Sequence, residues 1–468
     1  MNDLRSAGRG NSLSARDIAS VVHPYTNLKA HEKDGPLVIA RGKGIYIYDD
    51  SGKEYIEGLA GLWCTSLGFS EERLVEAATR QLRQLPTYHV FAAKSHEPAI
   101  ELAERLLAMA PSPMARVFFA NSGSEANDTA IKLVWYYNNA LNRPQKKKII
   151  SRQRAYHGVT IASASLTGLP NNHRDFDLPI ANIIHTDCPH AYNFANPGES
   201  EEAFTTRMAE SLEALILREG PDTIAAFIAE PVMGAGGVLV PPKGYFTKIQ
   251  AILKKYDILF ICDEVICGFG RTGSMWGAQT FGIQPDMLVM AKALSSAYLP
   301  ISAVLVNESI WKAMVAESEK IGTFGHGYTY SAHPVAAAVA IETLKIYEER
   351  DILSHVRSVA PRFQAGFQKL ATHPLVGEAQ SVGLIGAVQL MQSRQPKRAF
   401  EPKQMVGAYM AKRAEAHGLI CRALLGDRVA LCPPLIATAD QIDEVFRRFT
   451  LALEDTAAMV RDKGLAAA

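Results

Sequence analysis

Short apolar runs that stop abruptly at a charged or small polar residue recur along this chain. Ile258-Leu-Phe-Ile-Cys262 stops at Asp263-Glu264, Met287-Leu-Val-Met-Ala291 at Lys292, and Ile224-Ala-Ala-Phe-Ile-Ala229 at Glu230. Val117-Phe-Phe-Ala120 leads into Asn121-Ser122-Gly123-Ser124, and Ile149-Ile150 and Ile301–Val306 have the same character. Runs of that length, apolar on both faces, fit buried strands of a parallel sheet. Ligands of open α/β sheets bind outside the carboxyl ends of the strands. Asp263 and Lys292 are therefore expected to face one cleft.

Between these runs the pattern turns helical. Residues 70–110 have helical spacing with a break at Leu85-Pro86-Thr87-Tyr88, and Tyr245 to Tyr256 forms another helix. Residues 37–57 alternate like a strand pair, with Asp49-Asp50-Ser51-Gly52 as a hairpin turn. Residues 167–200, rich in Pro, Asn, Asp and His, read as an irregular excursion. After Pro334 comes an alanine-rich helix, and from about 340 onward helices alternate with short strands, which predicts a smaller α/β lobe. Residues 1–30 start polar and become mixed, giving a loose start and then an ordered arm.

A net charge of +1 over 468 residues offers nothing to a nucleic acid or an anionic membrane. The N-terminus lacks the apolar core of a signal peptide, and no apolar stretch is long enough to span a bilayer. A cytoplasmic protein is expected. The six cysteines include no Cys-x-x-Cys pair and are expected to be reduced.

The chemistry lies at the run ends. An acid and a lysine in one cleft suit a carbonyl cofactor that forms a Schiff base and needs a partner for its ring nitrogen, which is the logic of pyridoxal phosphate. Ser122 and Glu125 have capping-box spacing at a strand-to-helix turn, where free amides and the helix dipole favour an anion. Two other readings fail. No Gly-x-x-x-x-Gly-Lys-Ser/Thr accompanies the Asp-Glu strand end, so a P-loop is excluded. Gly268-Phe-Gly270-Arg-Thr-Gly273 matches a dinucleotide fingerprint but precedes a poor helix. His185 and His190 lack metal spacing and no His-Glu-x-x-His occurs, so no metal site is expected. An aromatic beside a glycine, as in Tyr156-His157-Gly158, can lie against a planar ring. Glycines around Leu62-Trp63-Cys64 allow close backbone approach.

Taken together, Leu62-Trp63-Cys64, Asn121–Glu125, Tyr156–Gly158, Asp263–Gly273, Lys292 and His326-Gly-Tyr-Thr-Tyr330 resemble the class III pyridoxal-phosphate-dependent aminotransferases. The resemblance runs from about His23 to Ala439 and is strongest to the omega-amino acid or amine:pyruvate transaminases. It implies the type I, aspartate aminotransferase-like α/β fold: a large domain with a mostly parallel seven-stranded sheet, plus a smaller α/β domain. The implied division is residues 1–70 for an N-terminal arm and part of the small domain, 71–335 for the large domain and 336–468 for the rest of the small domain.

By the same resemblance Lys292 would hold pyridoxal 5'-phosphate and move the proton, while Asp263 would pair with the pyridine nitrogen. Ser122, Gly123 and Ser124 would cradle the phosphate, with Thr329 reaching the phosphate of the neighbouring subunit. The active unit would then be a homodimer with shared sites, or a tetramer built from it. Tyr156 and Val265 would face the ring, and His157 and Glu230 would join its surroundings. Trp63, Tyr156, Tyr25 and Tyr328 would line the substrate side. Arg422 would bind the carboxylate of a 2-oxo acid and swing away for an uncharged amine, with Arg428 as a nearby competitor for the role. The implied reaction passes an amino group from an amine donor to pyruvate. Rivals are a glutamate/2-oxoglutarate enzyme acting on a diamine or 4-aminobutyrate, a decarboxylase or mutase of the same fold, and a silent binding protein. Where such enzymes usually carry glycine, this chain has Ala293, Ala297 and Ala332. Alanine disfavours positive φ, so an ordinary or re-routed backbone is expected there.

Overall fold

In the computed structural model, which describes residues 11–465, the apolar runs assemble into one seven-stranded sheet. Its order is Arg116–Ala120, Ser302–Val306, Met287–Met290, Leu259–Asp263, Ile224–Ala229, Lys148–Arg152 and Ile183–Thr186. Ser302–Val306 is antiparallel to both neighbours, and the other six strands are parallel. Residues 1–10 and the alanines 466–468 lie outside the described residues.

The strands are apolar on both faces because both faces are covered. Side chains alternate across a strand. Phe260, Cys262, Leu288 and Met290 share one core with Tyr245, Phe246 and Ile249 of the helix Tyr245–Lys255. Leu259, Ile261, Met287 and Val289 share another with Ala130, Ile131 and Val134 of the helix Gly123–Ala140. The sheet register pairs Ala229 with Cys262 and Asp263 with Val289. Glu230, Asp263 and Lys292 thus leave the sheet along one edge.

Beside this layer stands an antiparallel sheet, Val376–Val382, Ile385–Leu390, Arg428–Leu431 and Arg422–Leu424. The hairpin read over residues 37–57 is present as Ile39–Lys43, Tyr46–Asp49 and Glu54–Glu57. Leu419–Ile420 joins the last of these strands in parallel, so the arm and the C-terminal residues share a sheet.

One segment departs from expectation. Residues 167–200 include the edge strand Ile183–Thr186. It has a single sheet neighbour, and His185 and Thr186 end its apolar run after two isoleucines, so it lacks the composition of the central strands. All six cysteines are free; Cys188, Cys262, Cys267 and Cys432 are buried, and Cys64 and Cys421 are partly exposed. Among the described residues no helix is long and apolar enough to cross a membrane.

Candidate active site

Asp263 ends the central strand and is 3% exposed. Its Oδ2 accepts from Asn127 Nδ2 at 2.9 Å and faces His157 Nδ1 at 2.7 Å. Its Oδ1 accepts from the Val265 amide at 3.0 Å. Asn127 also donates to the His157 carbonyl at 2.7 Å. The carboxylate is therefore fixed in orientation. Glu230, one strand over, accepts from the amides of Tyr156 at 3.0 Å and Gly234 at 2.9 Å, and burial raises its pKa.

The turn after Arg116–Ala120 begins the 18-residue helix Gly123–Ala140. Ser122 is its N-cap: Oγ accepts from the Glu125 amide at 3.2 Å. The capping box is offset, because the Glu125 carboxylate takes the Asn121 amide at 2.7 Å instead of that of Ser122. The first amides of a helix have no intrahelical acceptor, so Gly123 and Ser124 present N–H groups at the positive end of the dipole. The space is tight. A Cβ on Gly123 would lie 3.1 Å from Val265 Cγ1, and one on Gly158 would lie 2.5 Å from Ser124 Oγ.

Lys292 follows Met287–Met290 after one residue, at φ 48°, and opens a 3-10 turn over Lys292–Ser295. Among the described residues its ammonium has no hydrogen-bond or ion-pair partner. Burial lowers its pKa, with Arg422 adding to the effect, while the charges of Asp263, Cys64 and Glu230 oppose it. A lysine so placed is more readily a neutral, nucleophilic amine.

On the outer side burial raises the Tyr156 pKa, with the neighbouring Tyr25 adding to the effect. Tyr25 OH also accepts from Asn172 Nδ2 at 2.6 Å, and the Arg422 guanidinium lies 5.9 Å from the Tyr25 ring centroid. Arg422 is half-buried and has no carboxylate within salt-bridge distance among the described residues. Arg428, its competitor in sequence, is fully buried and committed elsewhere, to Glu378 at 2.6 Å and Gln389 at 3.0 Å. Trp63, at φ 65°, packs into a core with Val232, Val238, Ile266 and Cys432 and is 3% exposed. Thr329 is exposed. The Tyr328 hydroxyl is turned to the helix, donating to the Glu125 carbonyl at 3.1 Å.

Sequence reading assigns no role to Asn127 or Arg152. Asn127 stands four residues after Gly123, one helical turn above the anion turn, and that spacing is the available signal. Arg152 ends a strand, is buried, and donates to the Glu230 carbonyl at 2.7 Å. His185 and His190 are committed to Leu166 O and Glu378. Two of the three alanines differ from expectation. Ala297 and Ala332 keep the left-handed backbone, at φ 62° and 53°, without re-routing.

The donor set fits pyridoxal phosphate. Free amides and a dipole stand at one end, a held carboxylate at the other, and an unpartnered lysine beside them. His157 Nε2 and Asn127 Oδ1 are buried without partners, polar capacity that a bound group can use. Fold and site together define a pyridoxal-phosphate enzyme of the aminotransferase type. The sequence profile of the family Aminotransferase class-III matches residues 28–453, and the chain belongs to that family. It is 52% identical over 453 residues to gamma aminobutyrate transaminase 3, chloroplastic, of Solanum lycopersicum, covering 95% of this chain and 87% of that protein. It is also 52% identical over 428 residues to the vanillin aminotransferase of Capsicum annuum, covering 91% and 93% of the two chains. The crystal structure of the omega transaminase from Pseudomonas jessenii in complex with PMP superposes with a TM-score of 0.94 at 56% identity, covering 96% of this chain and 99% of that one. The enzyme is a pyridoxal-phosphate-dependent transaminase.

Proposed function

We propose that this enzyme transfers the amino group of an amine or omega-amino acid to pyruvate by a ping-pong reaction. The observation that carries the acceptor class is Arg422, half-buried beside Tyr25 and Tyr156 without a carboxylate partner among the described residues. A guanidinium in that position can take a 2-oxo acid carboxylate bidentately. It can turn toward solvent when an uncharged amine enters. Trp63 supplies packed apolar wall, and Tyr25 and Tyr156 supply aromatic faces for the donor's substituent.

Pyridoxal phosphate supplies the carbonyl that receives the amino group and the ring that stores the electron pair left by deprotonation. Lys292 Nζ would hold the cofactor covalently and would hold and move the proton at the substrate carbon. Asp263, held by Asn127, His157 and the Val265 amide, would pair with the ring nitrogen. Ser122, Gly123 and Ser124 would bind the phosphate. Val265 and Tyr156 would face the ring, and Glu230 fixes the Tyr156 backbone. Thr329 acts across a homodimer. Supporting that assembly, an apolar groove of about 1080 Å³ is lined by Phe91, Phe118, Trp311 and Phe324 and by Gly327 and Ser331, which flank Thr329 in sequence. Cytoplasmic operation belongs to the same proposal, and cell fractionation decides it against the chloroplast named for the tomato relative.

A second reading, with 2-oxoglutarate as acceptor, keeps the γ-aminobutyrate donor that the name of the tomato relative, 52% identical, carries. Mixing the cofactor-loaded enzyme with single amines, without acceptor, separates the two. Loss of the visible absorbance of the lysine-linked cofactor, restored by pyruvate and not by 2-oxoglutarate, is the expected result. Restoration by 2-oxoglutarate alone would move the enzyme to the second reading. No visible absorbance after loading would remove both.

A further inference from the structure

The N-terminal arm brings together three side chains that the catalytic site does not use. Asp17 lies on the helix Leu13–Ser20, His31 on the helix Leu28–Asp34, and His23 on the segment between them. Asp17 Oδ1 faces His23 Nε2 at 2.8 Å and His31 Nε2 at 3.2 Å. The two imidazoles lie over one another, with centroids 4.1 Å apart, and the three ligand-type atoms fall within 4.8 Å of one another. We propose that Asp17, His23 and His31 bind one transition-metal ion of the zinc class, and that this ion staples the arm that presents Tyr25.

The geometry is close to what such an ion needs. Tetrahedral zinc with bonds of about 2.0–2.1 Å to imidazole nitrogen and carboxylate oxygen holds neighbouring ligand atoms roughly 3.3 Å apart. The contact to His31 is already at that spacing, and the contact to His23 opens by about half an ångström. Two nitrogens and one oxygen suit zinc, copper or nickel and disfavour magnesium and calcium. The His31 side chain is 8% exposed and forms the floor, whereas His23 at 28% and Asp17 at 23% leave a way in for the ion and for a water as fourth ligand. Sequence reading anticipates no metal here. Separations of six and eight residues match no ligand motif, and only the fold of the arm closes them.

Tyr25 lies within this ligand set in sequence, two residues after His23 and six before His31. An ion at the cluster would fix both ends of the segment that carries its phenol to Asn172 and its ring to Arg422. That consequence rests on the substrate side proposed above, but the binding itself does not. The test therefore reads metal directly. Cofactor-loaded enzyme is stripped with a chelator, then titrated with Zn²⁺ in competition with a chromogenic chelator, with Mg²⁺ as control.

One ion per chain is expected. At least tenfold weaker binding is expected in His31→Ala, and equally in His23→Ala, whose partly exposed side chain makes it the safer variant for folding. Zn²⁺ should also slow tryptic cleavage after Lys29 in the wild type and leave both variants unprotected. No binding in the wild type, or equal binding in wild type and both variants, would overturn the site and leave the cluster as a hydrogen-bonded triad. Binding without protection at Lys29 would overturn the stapling. Transaminase activity enters none of these readouts, so a failure here is distinguishable from a failure of the proposed function.

Discussion

His157 Nδ1 lies 2.7 Å from the same Asp263 oxygen that Asn127 Nδ2 reaches at 2.9 Å. Two groups from different elements converge on one oxygen, and the Val265 amide holds the other. In Asp263→Asn the side chain would keep its shape, lose its charge, and turn an N–H toward one of these donors. The expected loss in turnover is about 10²–10⁴-fold, the scale of a positioned proton-transfer partner. Single-turnover rates of the loaded variant measure it. A loss below tenfold would remove Asp263 from the role proposed here.

Lys292→Ala should abolish turnover while leaving the fold intact, because no described hydrogen bond or ion pair depends on the ammonium. Circular dichroism should match the wild type. The visible absorbance of bound cofactor should shift, and the cofactor should be lost on desalting. Near-wild-type turnover in this variant would sink the mechanism.

These central residues were legible in sequence because each ends an apolar run, and a strand end in a parallel sheet has one place to point. Asn127 was not. It lies one turn into its helix, 136 residues from Asp263, and its spacing from Gly123 does not by itself report a contact of that range. Arg422 and Arg428 show the same limit. Six residues apart on adjacent strands, they differ only in what the fold sets opposite them, Glu378 for one and Tyr25 for the other. The edge strand Ile183–Thr186 was missed because a single sheet neighbour asks for fewer apolar residues than a central position does.

Arg422→Ala should act on one half-reaction. A charged hydrogen bond to a carboxylate is worth about 1.5–3 kcal/mol, so KM for 2-oxo acid acceptors should rise at least tenfold. The rate with an uncharged amine donor should change by less than threefold. Measuring the two half-reactions separately checks this. Equal losses in both would show that the guanidinium supports the pocket and does not select the substrate.

Ala297 lies just beyond the lysine turn, exposed, at φ 62°, with its amide donating to the Lys292 carbonyl at 3.2 Å. An L-residue in the left-handed region is strained by about 1–2 kcal/mol, and glycine there is not. Part of that relief is offset by the greater freedom of glycine in the unfolded chain. Ala297→Gly should therefore stabilise the enzyme by about 0.5–1 kcal/mol. Denaturant unfolding of the loaded enzyme would detect it as a higher midpoint. An unchanged or lower midpoint would mean that the turn is not strained as its φ implies.

Glu57 stands at the start of the segment that leads to Trp63, 5% exposed, with Oε1 accepting from the Leu59 amide at 2.9 Å. Burial pushes its pKa up to about 7, against the opposing bonds from Leu59 and Gly61. The folded state therefore holds this proton more tightly than the unfolded chain does. The associated stability is fully present below the unfolded value near 4.5, is lost as pH rises through about 7, and does not change beyond that. At about 1.4 kcal/mol per pKa unit the swing amounts to at most roughly 3.5 kcal/mol. Glu57→Gln keeps an oxygen for the Leu59 amide and removes the titration. The difference in unfolding free energy between wild type and variant should therefore tilt toward the variant between pH 5 and pH 7, a window set by the unfolded and folded values. Chemical unfolding at several pH values across that window tests it, and a pH-independent difference would show that Glu57 does not titrate there.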